Sequence, residues 1–265
     1  KHTYPKSQTA RHGTPASTPT PDTPAATATQ GTFCYDGATG AKRWSDEFQS
    51  TEGVYWVAVS ADGTKAAGGG LSVDGSTTGF VRAYDATTGA QPSTTRWRRR
   101  STTARVNQVA LSADGEWLIA GSHSVMLFQY DSTTKQYVPK GAFSTGVEVL
   151  SVGISENGAR IVYCDYSGTI ALMDNKGDLM ATIASYQVPT PGFSHMLSLA
   201  PDGNSFAAGG GNGEFYLFES NAFIATNQPT YAYATGVAEA VYGVAGSSDG
   251  MLFAGVVNIS DTGKV

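Results

Sequence analysis

Short runs of alternating apolar and small residues recur along the chain, paired across tight turns that end in Asp-Gly or Asn-Gly. The turns fall at Asp62-Gly63, Asp114-Gly115, Asn157-Gly158, Asp202-Gly203 and Asp249-Gly250, at spacings of 52, 43, 45 and 47 residues. Three and five positions before each turn Asp or Asn stand Val59 and Val57, Leu111 and Val109, Ile154 and Val152, Leu199 and Leu197, and Gly246 and Val244. Four positions before it the residue is always small: Ala58, Ala110, Gly153, Ser198 and Ala245. A period of two puts these sets on opposite faces of a strand. The runs after the turns, such as Ala66-Ala67-Gly68-Gly69-Gly70 and Ala207-Ala208-Gly209-Gly210-Gly211, are equally poor in bulk. Inner strands that approach one another closely require such residues.

A second phrase alternates with the first. An aromatic or apolar residue precedes an acid and then turn residues, at Tyr35-Asp36, Tyr84-Asp85, Tyr130-Asp131, Met173-Asp174 and Phe218-Glu219. Ala38-Thr39-Gly40, Thr87-Thr88-Gly89, Thr133-Thr134-Lys135, Asn175-Lys176-Gly177 and Ser220-Asn221 follow. Each period therefore holds two hairpins. Asp-Gly suits the primed turns of the first, which need positive φ, and the Thr-Gly type closes the second. The period length and four strands per period predict an all-β chain, a β-propeller of four-stranded antiparallel blades with very little helix. It opens on a third-and-fourth-strand pair, 31–48, and closes on a first-and-second-strand pair, about 240–258. Joined, these would close a five-bladed ring. The turn-like 260–265 favours membership of a larger ring, with five-bladed closure as the alternative.

The chain resembles the superfamily of WD-repeat and quinoprotein-like (PQQ-like) β-propellers. The resemblance rests on the Ser-x-Asp-Gly turns, the strand-ending Tyr-Asp pairs, and Asp36-Gly37-Ala38-Thr39-Gly40-Ala41-Lys42-Arg43-Trp44, which is similar to the Asp-x-x-Thr-Gly-x-x-x-Trp phrase of quinoprotein-like blades. It covers residues 31–265. The chain departs from the pattern in ending its strands Tyr-Asp or Met-Asp rather than Trp-Asp, and in lacking the Gly-His pair of WD repeats. Nothing matches the cofactor-holding residues of quinoprotein dehydrogenases.

Composition adjusts this picture in three places. Only 15 % of the 265 residues are charged and 32 are glycine, which suits short strands and many turns. The net charge is −5, but Lys1, Lys6 and Arg11 against Asp22 give the first thirty residues +2, which leaves −7 for the rest. An acidic body argues against nucleic acid as partner. The Pro, Thr, Ser and Ala of residues 14–30 cannot bury enough surface to offset ordering entropy, so 1–30 is expected to be a disordered linker and 31–265 the repeat domain. Such a tether suits an anchor or export signal and hence an extracytoplasmic body, while no apolar run is long enough to span a membrane. Cys34 and Cys164 read as buried thiols, since they have neither metal-ligand spacing nor a disulfide framework.

Candidate chemistry is sparse. No nucleophile elbow, His pair or carboxylate dyad is visible, so no catalytic residue, cofactor or metal ligand is expected. The less uniform connections belong to one end of the blades, where functional residues concentrate. They carry the loop 71–79 with Asp74, then His123, Asp165-Tyr166 and Asn212. Seven positions before the turns stand Tyr55, Asn107, Leu150, His195 and Tyr242, which would surround the mouth of a closed channel. Such a ring either holds a small ligand, sugar or peptide or caps a plugged channel. Five arginines, Arg96, Arg98, Arg99, Arg100 and Arg105, fall within ten positions, either as a solvated loop or as a surface for phosphate, an acidic protein or a headgroup. The reading favoured is a non-catalytic binding or scaffolding propeller for a protein or polymer. A quinoprotein-like oxidoreductase, another channel-mouth enzyme and a lectin-like propeller are the alternatives.

Overall fold

The computed structural model describes residues 25–28, 31–48, 52–72, 78–90, 93–98, 105–177, 180–189, 196–211, 213–236 and 241–257. They form six antiparallel sheets in chain order. The first holds β1 (Ala25–Ala28), β2 (Gly31–Tyr35) and β3 (Lys42–Glu47). The second holds β4 (Glu52–Val59), β5 (Lys65–Ser72), β6 (Thr78–Asp85) and β7 (Ser93–Arg98). The third is β8 (Gln108–Leu111), β9 (Trp117–Gly121), β10 (Ser124–Asp131) and β11 (Gln136–Ser144). The fourth is β12 (Val149–Ile154), β13 (Arg160–Asp165), β14 (Thr169–Asn175) and β15 (Met180–Gln187). The fifth is β16 (Leu197–Leu199), β17 (Ser205–Gly209), β18 (Glu214–Glu219) and β19 (Tyr231–Ala234), and the sixth β20 (Val241–Gly246) and β21 (Phe253–Val257). Each complete sheet is a meander whose first strand neighbours the first strand of the next, the arrangement of propeller blades.

Three expectations about elements and their pairing change. β1 lies inside the stretch read as linker. Main-chain hydrogen bonds do not depend on side-chain bulk, and Ala25–Ala28 supplies them to the edge of β2. That occupied edge also separates the terminal pairs. Since β2 lies between β1 and β3, it does not join β21 in one blade, and the first and sixth sheets remain distinct. Third, Ser220-Asn221 opens a helix, α1 (Ser220–Thr226), rather than a turn. Glu219 caps it by accepting from Asn221 N at 3.2 Å and Ala222 N at 2.7 Å, and Asn227 ends it at φ 54°. Phe223 pins it against the stacked rings of Phe206 and Phe218.

The core lies between successive sheets. Val81, Val109, Leu118 and Phe128 fill the space between the second and third, and Val125, Leu127, Val152 and Ile161 that between the third and fourth. Buried polar groups bind the inner strands: Gln108 Oε1 accepts from Ser151 Oγ and Val152 N, and Ser151 Oγ accepts from Leu197 N. A charged network joins the first two sheets, with Arg82 bridging Asp46 at 2.9 Å and Glu52 at 2.8 Å and Tyr84 Oη donating to Asp46.

The first-to-second-strand turns share one design. Gly63 N donates to Ser60 O, Ser60 N to Lys65 O, and Asp62 Oδ1 accepts from Ser60 Oγ and Thr64 N. In each turn only the glycine has positive φ, from 66° to 75°, and its N–H closes the bond from the fourth position, so these are not the primed turns expected from Asp-Gly, which place positive φ at a central residue. The turns are also joined to one another: Asp62 N donates to Ala113 O, Ala113 N to Glu156 O, and Glu156 N to Pro201 O. At Gly158 a Cβ would stand 2.3 Å from Trp117 Cδ1, so this glycine leaves room for the neighbouring blade as well as a left-handed backbone.

Candidate functional site

The up-and-down order of strands sends first-to-second and third-to-fourth connections to one end of the sheets, the turn face. Second-to-third and sheet-to-sheet connections reach the other end, the loop face. Innermost strands of three sheets meet the loop face at a β-bulge, at the position seven residues before the turn. Pairing passes from Val54↔Gly70 to Trp56↔Gly69 around Tyr55, from Val149↔Asp165 to Ser151↔Cys164 around Leu150, and from Val241↔Val257 to Gly243↔Val256 around Tyr242. A bulge takes a residue out of the ladder and re-aims its side chain. Tyr55 is thereby 47 % exposed, whereas Leu150 turns into the core beside Val162 and Cys164.

Asn107 holds the same position before β8. The buried Val106 between Arg105 and Asn107 donates its N–H to Gly70 O, and Asn107 N donates to Gly121 O at 2.9 Å. Glu148, which the sequence reading missed, meets both flanking side chains. Its Oε1 accepts from Arg105 Nε at 2.6 Å and from Asn107 Nδ2 at 2.9 Å, and Asn107 Nδ2 also reaches Val149 O at 2.7 Å. The Arg105 guanidinium stands 5.9 Å from the centre of the Tyr55 ring, within cation–π range. Burial works against the charge of Glu148, but the hydrogen bonds from Arg105 and Asn107, aided by Arg105's charge, outweigh it and hold the carboxyl below its ordinary range.

Tyr166 joins the cluster through its main chain, donating its N–H to Glu148 O at 2.8 Å, and its ring is 49 % exposed. His123 contributes to the field at Glu148. Its Nδ1 is buried and has no hydrogen-bond partner among the described residues. Asp165, proposed with Tyr166 as a contact residue, is buried instead: its Oδ1 accepts from Ser167 N, Ser167 Oγ and Thr169 N and holds the β13–β14 turn. The cluster thus gathers Tyr55, Arg105, Asn107, Glu148, His123 and Tyr166 from three sheets. One signal pointed to Glu148: it is the only acid between β11 and β12.

The arginine run divides. Arg96 and Arg98 belong to β7, with main-chain partners Phe80 and Thr78, so two of the five arginines lie on an edge strand that reaches the loop face at Arg98. Arg99, Arg100, Asp74, His195 and Asn212 lie outside the described residues, and Tyr242 is placed by its backbone only. Among the described residues, no group of three or more His, Cys, Asp and Glu is placed to hold a metal ion, and no helix is long and apolar enough to cross a membrane.

The model of the WD domain, G-beta repeat, matches residues 95–137. That segment starts in the outermost strand of the second sheet and runs through β8, β9 and β10 into β11, so the sequence repeat straddles two blades. No curated protein matches the chain. The matched repeat and the four-stranded antiparallel sheets together fit a propeller of the WD-repeat type, with about five blades' worth of strands.

Proposed function

We propose that the chain is a binding or scaffolding propeller that holds a protein segment on its loop face. The observation that carries this reading is the cluster around Glu148. Two half-exposed tyrosines, Tyr55 and Tyr166, flank a hydrogen-bonded Arg105–Glu148–Asn107 set on the face opposite the linked Asp-Gly turns. Exposed aromatic rings beside a fixed arginine are the residue types in which binding energy at protein interfaces concentrates. A WD-type repeat adds weight, since such domains commonly bind proteins.

A random-peptide display selection on the full chain tests the proposal. Selected peptides are expected to bind the Tyr55→Ala/Tyr166→Ala double variant at least about tenfold more weakly, a loss of roughly 1.4 kcal/mol. Thr87→Ala, on the turn face, should leave their binding unchanged. Peptides that bind the double variant as well as the wild type would place the binding surface elsewhere.

A further inference from the structure

Arg105 is attached to the protein by one corner. Its Nε donates to Glu148, while its terminal nitrogens make no hydrogen bond among the described residues, and its side chain is 39 % exposed. Glu148 is held in turn by Asn107, and Asn107 by Val149 O. The guanidinium plane is therefore oriented before any ligand arrives, with the Tyr55 ring beside it. A planar fork fixed at Nε offers its outer edge, Nη1 and Nη2, for two parallel hydrogen bonds to one carboxylate. Because the ordering is already done, little side-chain entropy is lost on binding.

Resting on the reading of the loop face given above, we infer that Arg105 is a specificity residue that receives the side-chain carboxylate of an Asp or Glu within the bound protein segment. The electrostatics favour a single carboxylate over a doubly charged phosphate. Glu148 lies directly behind the guanidinium, and residues 31–265 carry a net charge of −7. Acidic segments are repelled by the body in general and accepted only where their acid meets this fork, which makes the repulsion part of the discrimination.

The experiment uses peptides selected by display on the full chain, remade with the acidic residue as Glu or as Gln, and measured by fluorescence anisotropy against wild type, Arg105→Gln and Arg105→Lys. Selected sequences are expected to share an Asp or Glu at one fixed position. Glu→Gln in the peptide should weaken binding to wild type by about tenfold and barely change binding to Arg105→Gln. Arg105→Lys keeps the charge without the fork and should remain about tenfold weaker than wild type. Matching thermal midpoints show that the variants fold. Peptides that require Tyr55 but share no acid, or that lose equally on Glu→Gln with wild type and Arg105→Gln, overturn the role of Arg105 and leave the loop-face reading standing. Failure to select any peptide that depends on Tyr55 and Tyr166 overturns both.

Discussion

The two ends of the sheets solve different problems with similar residues. On the turn face, polar side chains point back at their own main chain: Asp36, Asp85 and Asp131 each accept from the turn they begin, and Ser60, Ser112 and Ser155 each bond the turn Asp or Asn. Successive turns then bond to one another. On the loop face, Arg105, Asn107 and Glu148 bond across sheets beside the half-exposed Tyr55 and Tyr166. The turn-face sequence repeats from sheet to sheet while the loop-face sequence varies, which sets a repeated scaffold at one end against the binding surface proposed at the other.

The largest expected effect comes from breaking the turn face. Gly158→Ala imposes a side chain on φ 70° and drives its Cβ into Trp117; denaturant unfolding should show a loss of about 3 kcal/mol. Smaller is Asp85→Ala, which removes the acceptor for Thr87 N, Thr88 N and Thr88 Oγ1 and should cost about 1–2 kcal/mol by the same measurement. Acid comes next. The carboxyl of Asp36, bonded by Arg43 and the Thr39 turn, and those of Asp131 and Asp249, bonded by their own turns, are held below the ordinary range. Unfolded chains then bind more protons at low pH, so the stabilisation is complete above about pH 5 and lost as pH falls through the ordinary carboxylate value near 4 and below. The unfolding midpoint followed from pH 6 to pH 2 should fall across that window, and Asp36→Asn should flatten the fall. Least affected should be Tyr166→Ala on the loop face, with stability within about 0.5 kcal/mol of wild type and peptide binding weakened. A loss of stability comparable to Gly158→Ala would erase the distinction between the faces.

Much of this organisation could be read from the chain. The spacing of the Asp-Gly and Asn-Gly turns located all five inner hairpins, and counting back seven positions reached Tyr55, Leu150 and Tyr242, the residues that turn out to be bulged. The count could not say that Leu150 faces the core and Tyr55 the solvent, because a bulge sets direction through pairing between strands. β1 was hidden because Ala and Thr carry no amphipathic pattern, and α1 because seven residues are too few to establish a helical period. The charge of Arg96 and Arg98 masked the edge strand β7. Glu148 escaped notice because its importance arises from Arg105 and Asn107, some forty positions away.

Pro201 has a consequence for how the molecule comes apart. It accepts the main-chain hydrogen bond from Glu156 but has no N–H to hand to the next turn, and at that seam Ser205 Oγ reaches Gly250 O at 3.2 Å instead. A side-chain hydroxyl replaces a main-chain donor at the junction of the fifth and sixth sheets. Amide hydrogens of β20 and β21 should therefore exchange with solvent sooner than those of β8 and β12, giving the array a direction of fraying that its repeating sequence does not announce.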